Sequence, residues 1–320
     1  MRRTSHVDMH WDLPADAEPF ATAGLHLRGS ARDLLTRGVG ASEILGEAQI
    51  DARVDDEGGL AALHTAPRAG DVAALLGVRV GAGFRQRAET AFPGEAGTPL
   101  GLLIDDLPVA ALISGYARVR RAMTAGAHPG DLAPRAAADH QTDLCSGWAA
   151  GGTMIRSILD GQGIPYRRGP LAPRPAPDDP EGWHPEPPLP PGAMRRRRRI
   201  DVVPASDAAA SLRIDAMFRD TWMDLEGREE VLHEYTVEAT LDPAGERIQT
   251  ISADPRVLPF GECPAAARYV SKLDGLAVAG LRRSVRETLV STESCTHLND
   301  LLRALADVTF LRERAATGDA

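Results

Sequence analysis

The feature that most constrains this chain is that it contains a match to itself. Residues 25–58 and 212–245 align without a gap and are identical at ten of 34 positions. The identities include Arg32 and Asp33 over Arg219 and Asp220, Glu47 over Glu234, and Asp55 over Asp242. The match continues with Leu60 and Leu63 over Ile248 and Ile251, Pro67 and Arg68 over Pro255 and Arg256, and Gly77 over Gly275. Upstream, residues 2–8 (RRTSHVD) correspond to residues 195–201 (RRRRRID). Repetition at this distance implies one unit used twice, so the chain reads as a tandem duplication. At 320 residues two domains are expected in any case, because single cores rarely grow beyond about 250 residues.

Proline marks the join. Eleven of the 24 prolines fall in residues 165–191, a semi-rigid, polyproline-like spacer. The expected division is residues 1–164 as a degenerate first copy with a helical tail, 165–194 as the linker, and 195–320 as the second copy. In that second copy, residues 211–217, 231–241 and 247–253 alternate like strands, with the turn Asp242, Pro243, Ala244, Gly245 joining the last two. Residues 264–273 read as a helix opened by proline, and residues 275–289 remain ambiguous. Leu298, Leu301, Leu302, Leu305 and Val308 follow helical spacing. The fold class is therefore α+β: two tandem three-stranded antiparallel sheets packed on helices, the two copies forming an intramolecular pseudo-dimer.

Charge and composition exclude several roles. A net charge of −9 argues against nonspecific nucleic-acid binding. The run of five arginines at residues 195–199 reads as an entry strand preceded by solvated charge, since the first copy has only Arg2 and Arg3 there. No uninterrupted apolar run of about 18 residues suggests a membrane span, and residues 1–14 lack the apolar core of a signal peptide. A cytoplasmic protein is the expectation, with no nucleic-acid or membrane partner.

Three cysteines are too few for a disulfide scaffold and direct attention to thiol or metal chemistry. The repeat serves as an internal control. His233, Cys295 and His297 of the second copy are replaced by Gly46, Gly97 and Pro99 in the first, and Cys263 lies in an insertion the first copy lacks. Ligands of one site have a reason to be absent together; scattered core residues do not. Two thiols and two imidazoles are a tetrahedral zinc set, so His233, Cys263, Cys295 and His297 are the candidate metal ligands, with iron as the alternative metal. Taken singly, each thiol also reads as a small buried hydrophobe and His233 as a strand histidine. Cys263 and Cys295 stand at helix starts, where free amides favour the thiolate. Asp220, matched by Asp33, reads as a structural ion-pair or turn residue, with a catalytic role as the alternative. Cys145 reads as buried in the first copy's helical tail, or as a cap on the second copy's site.

The segments RID, FRD, LHEYTVEATLD, ECPAAA and SCTHLNDLL resemble domain-of-unknown-function family 2889, a bacterial family with a Cys-Thr-His-Leu motif. The resemblance covers residues 195–308 and, in degraded form, the first half. It implies site roles for Asp220, His233, Cys263, Cys295 and His297 but no reaction. Ser294 departs from the glycine expected before Cys-Thr-His. The layout of ligands at strand and helix ends is also similar to the SufE/NifU-like fold of iron-sulfur scaffolds.

Three functions follow. The first is a zinc or iron protein with its site in the second copy, hydrolytic or lyase-like on a small molecule if a coordination position stays open. The second is metal-free catalysis with Cys295 as nucleophile. The third is an iron-sulfur or persulfide carrier, whose expected marker, a third cysteine in the second copy, is missing.

Overall fold

A computed structural model describes residues 1–13, 21–37, 41–132, 135–175, 178–205 and 212–317. Ser211, expected to open a strand, lies outside the described residues. Eight strands form one antiparallel sheet: β1 (Arg2–Trp11), β2 (Leu25–Thr36), β3 (Ser42–Val54), β4 (Leu60–Ala66), β5 (Met194–Pro204), β6 (Leu212–Met223), β7 (Glu229–Leu241) and β8 (Ile248–Val257). Their order is β4-β3-β2-β1-β5-β6-β7-β8. Two separate three-stranded sheets, and with them the SufE/NifU-like layout, are therefore incorrect. Each half has a fourth strand, and the two extra strands, β1 and β5, pair with each other at the centre.

The arginine run explains the discrepancy. Successive strand residues point to opposite faces, so five consecutive arginines give no alternation to read. In β5 they alternate nonetheless. Arg196 and Arg198 face the helices beside Arg3 and Val7 of β1, while Arg195, Arg197 and Arg199 face the other way. Residues 195–198 are buried, each with carboxylate partners, rather than solvated.

The helices lie on one face. Over the first half are α1 (Phe84–Ala91) and the long α2 (Pro99–Thr124), which packs on β1, β2 and β3. Helix α2 starts where its sequence dictates: the Thr98 hydroxyl accepts from the Gly101 amide at 3.0 Å and Pro99 takes the first turn. By length and composition alone α2 could cross a bilayer, despite Asp105 and Asp106, but its window is mostly buried within the protein. The tail of the first half adds α3 (Arg135–Gln141) and α4 (Thr153–Leu159). Over the second half lie a 3-10 segment (Cys263–Leu273), α5 (Leu281–Thr288), α6 (Thr296–Ala304) and α7 (Val308–Thr317). Leu102 of α2 belongs to the second half's core, tying the two helical layers together.

The proline-rich segment is not a free spacer. It crosses the opposite face of β1 and β5, burying Trp183 and His184, and Glu186 pairs with both Arg195 and Arg197. Further upstream, the amides of Ala172 and Val231 bond to the carbonyls of Glu229 and Pro170, extending the sheet beside β7.

The two halves repeat each other in detail. The registers of β2–β3 and β6–β7 shift at the same place, after Asp33 and after Asp220. Arg3 forks onto Asp33 at 2.6 and 2.7 Å and reaches Asp307; Arg196 forks onto Asp220 at 2.8 and 3.2 Å and reaches Asp300.

Candidate metal centre

The bulge that follows Asp220 places the site. Asp220 pairs with His233, the next pair is Thr221 with Val231, and Leu232 is the extra residue between. A bulge of this kind re-aims the neighbouring side chains. Asp220 and His233 thus stand side by side on the helix-facing side, under the start of α6. From there His297 stacks on the His233 ring, with centroids 3.8 Å apart and planes inclined by 20°.

Three donor atoms converge. His233 Nδ1 lies 3.5 Å and His297 Nε2 lies 3.8 Å from the same oxygen, Asp220 Oδ2, and all three are within 4.8 Å of one another. Both ring nitrogens are buried, and neither has a hydrogen-bond partner among the described residues. Buried polar atoms are ordinarily satisfied, and these two face one carboxylate in a group that could hold a metal ion. Donors around an ion with bonds of about 2.0–2.2 Å stand roughly 3.3–3.6 Å apart in a tetrahedral arrangement, close to the 3.5 and 3.8 Å from the two histidines to Asp220 Oδ2.

Electrostatics hold the carboxylate ready. Burial would raise the pKa of Asp220, but the Arg196 guanidinium, followed by the two imidazoles, outweighs it and keeps the group well below the usual carboxylate range. His297 is pushed far below the ordinary imidazole value, by burial first and by His233 second, so its ring is neutral and its lone pair available.

The four residues expected as ligands divide into two groups. His233 and His297 join Asp220. Cys295 Sγ lies on the other side of the His297 ring, 3.9 Å from Nδ1, and Cys263 is outside the Asp220 group. The two nitrogens of an imidazole point away from each other, so a sulfur beside Nδ1 does not share an ion with Nε2. The thiolate expectation is reversed. Burial pushes Cys263 up to about 12 and Cys295 up to about 11, outweighing the helix-start amides of Leu298 and His297 at Cys295.

In the first half the equivalent positions are also neighbours, without the chemistry. A Cβ on Gly46 would lie 3.5 Å from Pro99 Cγ and 3.9 Å from Asp33 Oδ2. Asp33 and its arginine remain; the two imidazoles do not.

Of the two readings given for Cys145, the first half's tail that carries it docks on the second half, with Gly147 against Cys263 Sγ and the Ser146 amide on the Ser294 carbonyl. Sequence reasoning missed one group. A second buried group, His6, His184 and Glu186, lies under the proline-rich segment. There His6 Nδ1 and His184 Nε2 are 2.6 Å apart and bonded to each other, and Arg195 and Arg197 engage Glu186, so this group is already satisfied internally.

A cleft of about 1210 Å³ opens between the halves, lined by both arginines (Arg79, Arg282, Arg286) and carboxylates (Asp55, Asp56, Glu89) and reaching Thr296 and Asn299 of α6. The fold and this site define an α+β protein with a buried Asp-His-His cluster that could hold a metal ion. Residues 194–311, from β5 into α7, match the model of a family described as Protein of unknown function (DUF2889). That stretch contains Asp220, His233, Cys263, Cys295 and His297 but not Cys145. None of the curated proteins and none of the solved structures matches the chain.

Proposed function

We propose that this chain is a metalloprotein holding one zinc or iron ion through Asp220 Oδ2, His233 Nδ1 and His297 Nε2, and that it is hydrolytic or lyase-like toward a small molecule. The observation that carries the reading is the pair of buried, unpartnered imidazole nitrogens aimed at one carboxylate oxygen. Two histidines and a carboxylate suit both metals. Three protein ligands leave at least one position open, where a bound ion supplies Lewis acidity. Arg196 fixes the Asp220 carboxylate through two hydrogen bonds, leaving Oδ2 directed at the histidines. Cys295 Sγ stands where the Nδ1–H of His297 can donate, orienting the ring as outer groups of metal sites commonly do.

The first half is a tandem copy in which the ion-pair scaffold was kept and the ligands were not. The common bulge, the matched Arg3–Asp33 and Arg196–Asp220 forks and the adjacency of Gly46 and Pro99 support this reading. Metal-free catalysis by Cys295 is disfavoured, because burial keeps its thiol protonated at neutral pH.

The test is elemental analysis of the purified chain beside His233→Ala and Asp220→Asn. One equivalent of zinc or iron that is lost in both variants is expected. Metal content unchanged in His233→Ala would sink the proposal.

A further inference from the structure

Each half holds its forked arginine with a second carboxylate, and each of those carboxylates takes a further arginine. In the second half, Arg196 Nη1 donates to Asp300 Oδ2 at 2.9 Å, and Asp300 Oδ1 accepts from Arg85 Nη2 at 2.7 Å. In the first half, Arg3 Nη1 donates to Asp307 Oδ2 at 2.8 Å, and Asp307 Oδ1 accepts from Arg282 Nη2 at 2.7 Å. Arg85 and Arg282 correspond. Each is the second residue of an eight-residue helix, α1 or α5, that follows a glycine, Gly83 or Gly280. Both also pair with Asp105, at 3.2 and 3.0 Å. Arg85 thus crosses from the first half to serve the cluster of the second, and Arg282 does the reverse.

The two clusters differ in what the fork holds. Asp220 Oδ2 faces His233 Nδ1 and His297 Nε2, whereas Asp33 has Gly46 and Pro99 at the corresponding positions. A guanidinium is planar, with its donors fixed in direction, so holding Nη1 of Arg196 sets the angle at which its other nitrogens grip Asp220. Asp300 is the carboxylate that holds Nη1, and Arg196, Asp220 and Asp300 are all almost fully buried. Helix α6 carries both His297 and Asp300. One helix therefore delivers a donor directly and steadies a second donor through Arg196.

We propose that Asp300, held in turn by Arg85 of the first half, is a positioning residue of the metal site: through Arg196 it keeps Asp220 Oδ2 aimed at His233 and His297. This inference rests on the proposed function of the Asp220 group. It gives the first half a part in the chemistry of the second, although the first half has no such histidines of its own. Groups that orient metal ligands commonly govern affinity by about 10–100-fold. The Arg3–Asp307 pair is the control that the duplication supplies, since it is as deeply buried and equally bonded but has no imidazoles to serve.

The experiment uses the full-length, metal-stripped protein. Zn2+ affinity is measured by competition with a chromophoric chelator, and the visible absorption of the Co2+-loaded protein reports ligand geometry. Wild type, Asp300→Asn, Asp307→Asn, Arg85→Gln, Arg282→Gln and His233→Ala are compared, each with its urea midpoint. Asp300→Asn and Asp307→Asn both break buried pairs and should both lose stability. Only Asp300→Asn should weaken zinc, by about tenfold or more, and alter the cobalt spectrum. Arg85→Gln should change both readouts in the same direction to a smaller extent, and Arg282→Gln should match wild type. If Asp300→Asn does not fold, the two arginine variants decide, since Arg85 and Arg282 are 29% and 24% exposed and lie at the edge of the network. Zinc affinity and cobalt spectra that are alike in Asp300→Asn and Asp307→Asn, or alike in Arg85→Gln and Arg282→Gln, overturn the proposal and leave the Asp-His-His site standing. Wild type that binds no metal, or His233→Ala that binds it equally well, refutes the Asp-His-His site and this inference with it.

Discussion

Replacing Arg198 by Met tests the central claim about the sheet, that its arginines are buried structural groups. Arg198 Nη1 bonds both oxygens of Asp106 at 2.9 Å, and Nη2 bonds Asp300 at 2.7 Å. The arginine and both carboxylates are nearly inaccessible, at 2%, 1% and 4% exposure. Asp300 keeps Arg196 and Arg85, whereas Asp106 loses the one cation that pairs with it among the described residues. Breaking a buried pair from one side costs about 3–5 kcal/mol, because a charge is left without a partner. With a urea slope of about 3 kcal/mol per M, the unfolding midpoint should fall by roughly 1–1.7 M. The loss should depend on pH. Burial already holds Asp106 up at about 6 despite Arg198, so removing the arginine raises it further. A raised carboxyl penalises the folded state as pH rises through its pKa, so the defect should be larger at pH 8 than at pH 5.5. Asp106→Leu added to Arg198→Met should recover part of the loss, as an apolar pair of similar volume does. Arg199→Met is the control. Arg199 points to the other face, is a quarter exposed and pairs with Asp215, so it should cost about 1 kcal/mol or less. Urea denaturation that gave Arg198→Met and Arg199→Met the same midpoint would refute the reasoning.

The pair under the proline-rich segment should make the fold acid-sensitive. His6 is held down at about 4, by burial first and Arg195 next, and His184 at about 3, by burial first and His6 next; Glu186, Arg197 and Arg32 also act on the pair. Unfolded imidazoles protonate near 6.5, so stability is full above that pH and falls as the pH drops toward 4, by on the order of 3 kcal/mol for His6 alone. His184→Phe should flatten that loss in urea midpoints measured between pH 7 and 4.5; an unchanged slope counts against it. Gly147→Ala places a methyl 2.7 Å from Cys263 Sγ and should cost about 1–3 kcal/mol by thermal or urea unfolding, whereas Gly261→Ala, with open space, should be nearly neutral. Chelation should lower the melting temperature of wild type but not of Asp220→Asn, because an ion that binds only the folded state stabilises by mass action; equal shifts in both would place the stabilising ion elsewhere.

What was legible in the sequence was the repeated part. Strands at 231–241 and 247–253 announce themselves by period and are present as β7 and β8, while the single helix read through Leu298, Leu301, Leu302, Leu305 and Val308 is α6, a 3-10 turn at Leu305–Asp307 and α7, which Val308 opens. The strand at the centre was not, because alternation is read from contrast between apolar and polar residues, and Met194–Pro204 places arginine on both faces. Its contrast is between two sets of carboxylates drawn from other elements, Asp106, Asp220 and Asp300 on one side and Asp8, Glu186 and Asp215 on the other, which no pattern within the strand reveals. The site was half legible for the same reason. Comparing the two halves picked out His233, Cys263, Cys295 and His297, of which only the histidines join the group, and read Asp220 first as structural, with a catalytic role as the alternative, since the first half keeps Asp33. In the structure Asp220 makes with Arg196 the ion pair that Asp33 makes with Arg3, and His233 and His297 stand beside it only in the second half.

That dual position explains how a site could be present in one half and absent from the other without loss of the sheet. Arg3 and Asp33 make the same fork as Arg196 and Asp220, so the buried charge is neutralised in both halves whether or not imidazoles stand beside it. The histidines therefore add donors to a carboxylate that the fold has already desolvated, oriented and paired. At the place in the first half where His297 would stand, Pro99 opens α2, and Gly97 adopts a left-handed backbone with φ of 81° against Phe310, where a Cβ would come within 2.7 Å of that side chain. A cysteine equivalent to Cys295 does not fit there. The first half is thus committed to this contact, and its tail docks on the second half through the hydrogen bonds of Ser146 to the Ser294 and Thr292 carbonyls.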